Sequence, residues 1–384
     1  MINAKEFYDV FYDLGIEFYT GVPDKKLARF CANIGNSQAS FYSSKNNSTI
    51  YKKSTIQHVP AASEDNAISI ATGHYLATGK CPVVYMPNSG LWTSLNPLYT
   101  LADKNIFSIP MMVLIVLDGD SKNPYTKRNV ELTENFVKKA KYNYCKISND
   151  TNFEEEIVNL YNKTIETSSP SFILVENEVL DYSVKYVDKK FSSLSKHDVL
   201  EYILSFIGED DIIVASSGNI SNEIYNIREG KKQSHKNDLL INGAHGQASS
   251  VAYGIAISSP RNVYCIDGDG SFLRDLGGLT TAVQNTQRNL KYILIDDGSY
   301  STTGGQKTPL QCLDTKKMLK SMGMKNTVEA HTYEDIKLGM LRIAKEKSVL
   351  IVKVYDNRMF DAEYYGSPSE NKKNIMESLI PKDE

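Results

Sequence analysis

The stretch Val263-Tyr264-Cys265-Ile266-Asp267-Gly268-Asp269-Gly270-Ser271 passes from an apolar run into a turn with two glycines. The run predicts a buried strand, and a helix is expected to start near Phe272. Glycines at such a strand end let backbone N–H groups and a helix N-terminus approach a phosphate closely. Asp269 would then project from the carboxyl edge of the sheet, where α/β proteins bind their ligands.

A second pair of carboxylates, Asp296-Asp297, follows the next predicted strand, Tyr292 to Ile295. Because the ends of neighbouring parallel strands can lie side by side, Asp269 and Asp297 could share one cation. Mg²⁺ prefers oxygen ligands from one or two carboxylates together with phosphate oxygens. The three nearby acidic groups have no local lysine in the sequence, which favours a metal site. The alternative is that each is an ordinary turn aspartate, since Asp-Gly is common in turns.

Similar apolar runs and helical patterns alternate along the whole chain. Further strands are predicted at 82–86, 111–117, 172–175, 212–215 and 349–354. Helices are predicted at 64–77, 153–166, 197–206, 247–257 and 333–345. Nearly continuous apolar strands separated by helices are typical of parallel sheets that are covered on both faces. The predicted fold is therefore α/β, with doubly wound parallel sheets.

The chain also presents the same order of elements twice. A small-residue helix, a turn and a strand occur at 67–83 and again at 248–263, and each half closes on a helix and a strand. This pattern predicts two similar domains, at 1–180 and 196–384, joined by a polar linker at 181–195. The alternative is that any two α/β domains resemble each other at this level of detail.

The composition excludes several classes of protein. Of 384 residues, 41% are hydrophobic and 23% are charged, which is an ordinary globular balance. A net charge of −3 and the lack of a long apolar run indicate neither a nucleic-acid partner nor a membrane segment. Five scattered cysteines without a CxxC pair indicate reduced thiols, and the N-terminus lacks the pattern of a secretory signal. A cytoplasmic location is therefore expected.

The segment Gly268-Asp269-Gly270, followed after 25 residues by Asp296-Asp297, resembles the signature of thiamine diphosphate enzymes. In that superfamily the second element is usually Asn-Asn, so the two aspartates are a departure. The resemblance implies Mg²⁺ bound by the side chains of Asp269 and Asp297 and by the carbonyl oxygen of Ser299. The residues that it implies for the cofactor itself are Asn88, Ser89, Gly90, Ser217, Gly218, Gly243, His245, Gly246, Gly268, Gly270, Ser271 and Asp297.

The superfamily also uses a glutamate from a separate domain, which hydrogen-bonds N1′ of the cofactor's aminopyrimidine ring. Glu64 fits this catalytic role because it opens the helix predicted at 64–77. The alternative is a surface charge that interacts favourably with the helix dipole. By resemblance, the glutamate domain of one subunit meets the diphosphate domain of another, so at least a homodimer is expected.

Three longer segments, at 84–98, 242–249 and 297–306, resemble phosphonopyruvate decarboxylase and its relative sulfopyruvate decarboxylase. The resemblance implies two catalytic domains without a middle domain. It also implies non-oxidative decarboxylation of an acidic 2-oxo acid, with 3-phosphonopyruvate giving phosphonoacetaldehyde and CO₂ as the first candidate. The alternatives are a decarboxylase or carboligase that acts on sulfopyruvate or another 2-oxo acid, and a catalytically silent protein that only binds the cofactor.

Several residues depart from that family's motifs and leave the substrate open. The candidate substrate contacts are Asp24, Lys25 and Trp92. Lys25 could bind an acidic substrate tail or could be an exposed lysine, and Trp92 could fill the active site or pack at an interface. His245 could prop the cofactor or act as an acid or base, and the polar segment 118–135 could close over the site.

Overall fold

A computed structural model of the protein describes residues 1–39, 55–119, 124–182, 192–241, 243–284, 288–300, 306–324, 326–346, 348–355 and 367–380. The chain divides into two compact units, Met1–Tyr186 and Val187–Glu384. Most of the linker predicted at 181–195 lies outside the described residues. Each unit is an α/β domain built on a six-stranded parallel sheet.

The first unit alternates helices and strands. Its helices are α1 (Ala4–Asp13), α2 (Ala28–Ala39), α3 (Glu64–Thr78), α4 (Leu91–Pro97), α5 (Pro124–Lys139) and α6 (Phe153–Thr167). Its strands are β1 (Phe18–Gly21), β2 (Gln57–Pro60), β3 (Val83–Pro87), β4 (Met111–Leu117), β5 (Asn143–Ile147) and β6 (Pro170–Glu176). The strands pair in parallel in the order β2-β1-β3-β4-β6-β5. Short 3₁₀ turns at Lys25–Leu27 and Asn88–Gly90 follow β1 and β3.

The second unit repeats this arrangement. Its helices are α7 (Lys196–Leu204), α8 (Asn219–Gly230), α9 (Ala248–Ser258), α10 (Asp269–Arg274), α11 (Leu276–Gln284), α12 (Thr315–Ser321), α13 (Tyr333–Lys345) and α14 (Pro368–Leu379). Its sheet strands are β7 (Ile212–Ala215), β8 (Asp238–Leu240), β9 (Val263–Gly268), β10 (Leu290–Asp296), β13 (Asn326–Ala330) and β14 (Ser348–Lys353), and a small hairpin is formed by β11 (Ser299–Tyr300) and β12 (Gln306–Lys307). The sheet order is β13-β14-β10-β9-β7-β8, again all parallel.

The two units share one strand order. With the hairpin set aside and the second unit's strands counted from one to six, its order is 2-1-3-4-6-5, which is also the order of the first unit. The prediction of two similar doubly wound parallel-sheet domains is confirmed. The described residues contain no third, middle domain.

The central strands are buried on both faces, as their apolar sequences predict. All seven residues of β4 are buried, and their side chains alternate between two apolar clusters on opposite faces of the sheet. One cluster receives Met112, Leu114 and Val116, and the other receives Met111, Val113, Ile115 and Leu117. This two-sided burial leaves only the ends of the strands open to ligands.

The apolar pattern did not predict the strands at the sheet edges. The first sheet ends in β2 and β5, and the second ends in β8 and β13. Side chains of β2, β5 and β13 are partly exposed, so polar residues such as Gln57, Asn143 and Glu329 are tolerated there. Because an edge strand has a neighbour on only one side, it lacks the continuous apolar run that marks a central strand.

Two further expectations concern the membrane and the cysteines. No described helix is long and apolar enough to span a membrane. All five cysteines lie among the described residues and are free, with Cys312 exposed and the other four buried. Burial raises the pKa of Cys31, Cys81 and Cys145 to about 12. These thiols therefore stay protonated and pack as small apolar side chains.

Gly21, at the end of β1, has no room for a side chain. A Cβ atom at this position would lie 1.9 Å from the carbonyl oxygen of Tyr85 in β3. We expect Gly21→Ala to push β1 away from β3 and to lower the free energy of unfolding by about 1–3 kcal/mol, the usual cost of overpacking. Urea unfolding followed by circular dichroism measures this loss.

Gly35→Ala is the matched control for this prediction. Gly35 lies in α2, and apart from its own helix backbone no atom of the described residues lies within 4 Å of a Cβ atom built there. Alanine stabilises a helix by roughly 0.5–1 kcal/mol relative to glycine, so this variant should be at least as stable as the wild type. An equal loss of stability in the two variants would show that the Tyr85 contact is not the cause.

Candidate active site

The carboxyl edge of the second sheet collects the aspartates that the sequence singled out. β9 and β10 are adjacent and parallel, with Gly268 opposite Ile295. The two strands therefore end side by side, as predicted, and deliver four carboxyl groups to one place. The exposed fractions of these residues are small: Asp267 1%, Asp269 4%, Asp296 1% and Asp297 7%.

Asp269 lies at the start of α10. The helix begins at Asp269 and not near Phe272, so that expectation was wrong by one turn, and Gly268 is the residue before the helix. The Asp269 carboxylate accepts hydrogen bonds at 2.8 Å from the Thr308 hydroxyl and at 2.8 Å from the backbone N–H of Gly270. Burial raises the pKa of Asp269 well above its usual value, and the negative charges of Asp297 and Asp296 raise it further.

Two lysines that are distant in the sequence form ion pairs with the neighbouring aspartates. The amine of Lys196, the first residue of α7, forms an ion pair with Asp297. The amine of Lys353, at the end of β14, forms an ion pair with Asp296, which faces it in the parallel register of β10 and β14. The sequence distance concealed both contacts: 101 residues separate Lys196 from Asp297, and 57 separate Lys353 from Asp296.

Asp297 and Ser299, two of the three predicted metal ligands, are tied together by a tight turn. One carboxylate oxygen of Asp297 accepts hydrogen bonds from the backbone N–H of Ser299 at 2.9 Å and from its hydroxyl at 3.0 Å. The third predicted ligand, Asp269, is close enough for its charge to interact with that of Asp297. The structure therefore brings the predicted ligands to the same edge.

The second unit's residues that are predicted to bind the cofactor lie around the same edge. The N–H of Gly243 donates to the Ser217 hydroxyl at 3.1 Å, and the N–H of Gly246 donates to the Ser271 hydroxyl at 3.2 Å. Gly246 has a φ of +88°, and a Cβ atom there would lie 3.2 Å from the side chain of Arg274. A side chain at Gly246 would therefore be both strained and crowded. Gly218 lies directly before α8, and Gly270 lies in the first turn of α10.

In the first unit, Glu64 is the first residue of α3 and is completely buried. The alternative of an exposed charge at the helix N-terminus is therefore wrong. The turn at Asn88–Gly90 packs directly on this side chain, because a Cβ atom at Gly90 would lie 2.5 Å from both Cγ and Oε1 of Glu64. The structure thus brings Glu64 and Gly90 together, as a shared site requires.

The turn after β3 is held from the other side by α5. The Thr133 hydroxyl donates to Oδ1 of Asn88 at 2.7 Å, and the indole N–H of Trp92 donates to Asn129. The Trp92 ring also meets Phe136 edge-on, with centroids 6.3 Å apart. Trp92 therefore packs on a helix of its own unit, while its predicted contact with substrate stays a prediction. Ser89, between Asn88 and Gly90, is half-buried.

The polar segment 118–135 includes residues 120–123, which lie outside the described residues. From Pro124 onward it forms the start of α5. Asn129 and Thr133 on this helix are buried against the turn that carries Asn88. This part of the segment is therefore already packed beside the predicted site.

Several known proteins are similar to this chain in sequence. The family model described as "Thiamine pyrophosphate enzyme, C-terminal TPP binding domain" matches residues 217–354. The β subunit of sulfopyruvate decarboxylase from Methanothermobacter thermautotrophicus is 36% identical over 130 residues, which cover 34% of this chain and 67% of that protein. The chain belongs to the family of thiamine diphosphate-dependent decarboxylases.

Other members of the decarboxylase family are also similar to the chain. Phosphonopyruvate decarboxylase from Streptomyces viridochromogenes is 31% identical over 137 residues, which cover 36% of this chain and 33% of that protein. Sulfopyruvate decarboxylase from Methanosarcina acetivorans is 25% identical over 346 residues, which cover 82% of this chain and 86% of that protein. The solved structure of benzoylformate decarboxylase from Polynucleobacter necessarius is 12% identical, covers 94% of this chain and 100% of that chain, and has a TM-score of 0.37, too low to support a shared fold by itself.

The residues of this decarboxylase fit thiamine diphosphate and Mg²⁺. Asp269 is a buried carboxylate beside other negative charges, and a divalent cation would offset that unfavourable arrangement. Gly246 has no room for a Cβ atom, so its backbone packs directly beside the side chains of Arg274 and Asp275. In the first unit, Nδ2 of Asn88 is buried and has no hydrogen-bond partner among the described residues, so it is a donor that a ligand can use.

His245 lies two residues after Gly243, in the loop before α9, and is exposed. Desolvation of the ring and the positive charge of Arg274 lower the pKa of His245 below its usual value. The imidazole is therefore neutral near pH 7. A neutral ring is compatible with either predicted role, a prop for the cofactor or a base.

Asp24 and Lys25 lie just beyond the carboxyl end of β1 and are half-buried. The Asp24 carboxylate accepts a hydrogen bond from the N–H of Lys26 at 2.8 Å and caps the 3₁₀ turn. Limited hydration and the negative charge of Asp118 raise the pKa of Asp24 to about 6. Asp24, Lys25 and Asp118 therefore form a charged group at the carboxyl edge of the first sheet.

The raised pKa of Asp24 predicts a pH-dependent stability. Between about pH 4 and pH 6 the unfolded chain releases this proton while the folded protein keeps it, so stability should fall as the pH rises through this window. Asp24→Asn cannot ionise and should melt at a higher temperature than the wild type at pH 7.5. The difference should vanish near pH 3.5, where both states are protonated. Differential scanning calorimetry across this pH range measures it.

Asp314→Asn is the control, because Asp314 also caps a helix and accepts from a lysine N–H. Asp314 is exposed, and hydrogen bonds from Lys317 lower its pKa. Its replacement should therefore give no gain in melting temperature at pH 7.5. A gain in the control equal to that of Asp24→Asn would contradict the burial of the Asp24 charge as the cause.

Proposed function

We propose that the protein is a thiamine diphosphate- and Mg²⁺-dependent decarboxylase of an acidic 2-oxo acid, with 3-phosphonopyruvate as substrate and phosphonoacetaldehyde and CO₂ as products. The observation that carries the proposal is the buried acidic edge, where Asp269 and Asp297 follow adjacent strands. Bound thiamine diphosphate would supply the electron sink for the pair of electrons that CO₂ leaves behind.

The protein's own residues have separate tasks in this proposal. Asp269, Asp297 and Ser299 would hold Mg²⁺ and, through it, the diphosphate. The buried Glu64 would hold a proton at N1′ of the aminopyrimidine ring, and Gly90, which has no side chain, lets the Asn88–Gly90 turn pack directly on Glu64. Because Glu64 and Asp269 belong to different units, the proposal includes a homodimer in which the first unit of one copy serves the second unit of the other.

The substrate's second anionic group is proposed to contact Lys25. This lysine is half-buried at the carboxyl edge of the first sheet, on the same edge as the Asn88 turn. A charge-assisted hydrogen bond from lysine is worth about 1.5–3 kcal/mol, and an anionic group at C3 of the substrate would make it.

Turnover of the candidate acids tests the function directly. With thiamine diphosphate and Mg²⁺ present, the purified protein should release CO₂ and phosphonoacetaldehyde from 3-phosphonopyruvate. Pyruvate lacks the second anionic group, so its kcat/KM should be roughly tenfold to a hundredfold lower. No turnover of any acid by protein that binds the cofactor would refute the decarboxylase function, and a preference for pyruvate would refute the acidic substrate.

Sulfopyruvate is the second candidate substrate. The specific observation in its favour is that the relative from Methanosarcina acetivorans, which covers 82% of this chain, is a sulfopyruvate decarboxylase. Both acids carry a tetrahedral oxyanion at C3, and they differ in its charge. Measured side by side in the same assay, the acid with the higher kcat/KM is the assigned substrate.

Glu64→Gln tests the proposed proton partner. Glutamine keeps the shape of this buried side chain but cannot exchange a proton, so kcat should fall by about 10²–10⁴-fold while the fold is retained. Asp65→Asn is the matched control, because Asp65 is the next carboxylate of α3 and is only half-buried. It should keep near wild-type activity. Wild-type rates in Glu64→Gln would mean that another group serves the cofactor.

A further inference from the structure

Two lysines enter the acidic edge of the second unit from outside β9 and β10. Lys196 starts α7, and the exposed fractions of its side chain and that of Asp297 are 5% and 4%. Lys353 ends β14, and the exposed fractions of its side chain and that of Asp296 are 16% and 1%. Taking such charges out of water is costly, so buried lysines that lie on carboxylates point to a specific electrostatic task.

That task follows from the charges at this edge. The carboxylates of Asp296 and Asp297 interact electrostatically with that of Asp269 and raise its pKa, whereas the positive charge of Lys196 lowers it. The two lysines supply two positive charges for these three carboxylates, and the fourth carboxyl group at this edge, Asp267, accepts a hydrogen bond from Tyr292 instead. The lysines therefore let the aspartates stay buried together before any metal ion binds.

Lys196 also affects how Asp297 can bind a cation. One oxygen of Asp297 accepts two hydrogen bonds from Ser299, and the other accepts from the amine of Lys196. A metal ion that binds Asp297 must therefore share this carboxylate with a positive charge. At such short range the ammonium group repels the cation electrostatically.

We propose that Lys196 is a positioning residue that neutralises Asp297 in the metal-free protein and thereby weakens the binding of divalent cations at this edge. Lys353 plays the same stabilising part for Asp296. The inference rests on the Mg²⁺ site of the proposed function. It explains how an aspartate can stand at a position where the family signature usually has an asparagine: the aspartate and its lysine together carry no net charge.

A double-mutant cycle on the full-length protein tests this proposal. Lys196→Met removes the ammonium group that pairs with Asp297, and Asp297→Asn removes the carboxylate charge that pairs with Lys196. Each single variant should lower the melting temperature of the metal-free protein by about 5–10 °C. The double variant Lys196→Met/Asp297→Asn removes both charges and should recover most of that loss.

The affinity for Mg²⁺ should change in opposite directions in the two single variants. Isothermal titration calorimetry at saturating thiamine diphosphate should give a Kd for Mg²⁺ about tenfold lower in Lys196→Met and about tenfold higher in Asp297→Asn. The double variant should lie within a few-fold of the wild type. If Lys196 had a purely structural role, its replacement would change the melting temperature, but the two single variants would not shift the Kd for Mg²⁺ in opposite directions.

Lys291→Met is the matched control. Lys291 is also buried, but its amine donates to the backbone carbonyl oxygens of Arg288 at 2.8 Å and Ala344 at 3.2 Å and not to a carboxylate. Its replacement should lower the melting temperature, but Asp297→Asn should not restore it and the Kd for Mg²⁺ should stay unchanged. If Asp297→Asn also restored the melting temperature of Lys291→Met, the double-mutant cycle would not be specific for the pair of Lys196 and Asp297.

The outcomes separate this inference from the proposed function. If Lys196→Met leaves the Kd for Mg²⁺ unchanged, or if the double variant is no more stable than the single variants, the inference is overturned. If the wild type binds Mg²⁺ but decarboxylates no acid, the proposed function fails while the cycle still decides the role of Lys196. If the wild type binds no Mg²⁺ even with the cofactor, both are overturned.

Discussion

The parallel register of β9, β10 and β14 is the constraint on which the acidic edge depends. It sets Gly268 opposite Ile295 and Asp296 opposite Lys353, so the strands end at one level. A shift by one residue would turn each of these side chains to the other face of the sheet. The apolar residues of the same strands pack on both faces and hold the register, so the hydrophobic core fixes the position of the charges.

The burial of these charges is offset locally and in several ways. Lysine amines neutralise Asp296 and Asp297, while the Thr308 hydroxyl and the N–H of Gly270 bind Asp269. The phenol of Tyr292 donates to Asp267 at 2.8 Å. Burial nevertheless keeps the pKa of Asp267, Asp269 and Asp296 raised above the usual value of an aspartate.

The two units have the same topology but different polar residues at the ends of their strands. Both sheets have the strand order 2-1-3-4-6-5, and both place their polar residues in the loops at the carboxyl ends of the strands. In the second unit these loops contribute acidic and small residues around Asp269. In the first unit they contribute the amide of Asn88, packed beside the fully buried Glu64. The shared core positions the loops, and the loop residues decide what each edge can bind.

Much of the fold could be predicted from the sequence because buried parallel strands need continuous apolar runs. The strands at 111–117 and 212–215 were predicted with their observed bounds. The edge strands were not predicted, because partial exposure lets them carry polar residues such as Gln57 and Glu329. The start of α10 was predicted one turn late, because glycine usually disfavours a helix and the Gly-Asp-Gly segment was taken for a loop.

The sequence by itself determined the parallel α/β class and the repeat of two domains, and it identified Asp269, Asp297 and Glu64 as candidate site residues. Local hydrophobic patterns and the spacing of motifs are enough for these conclusions. Only the tertiary structure decided that Glu64 is buried, that Trp92 packs on α5, and that Lys196 and Lys353 lie on the aspartates. Those outcomes depend on contacts between residues far apart in the chain. A lysine in a sequence shows its charge, but the fold alone decides which carboxylate it meets.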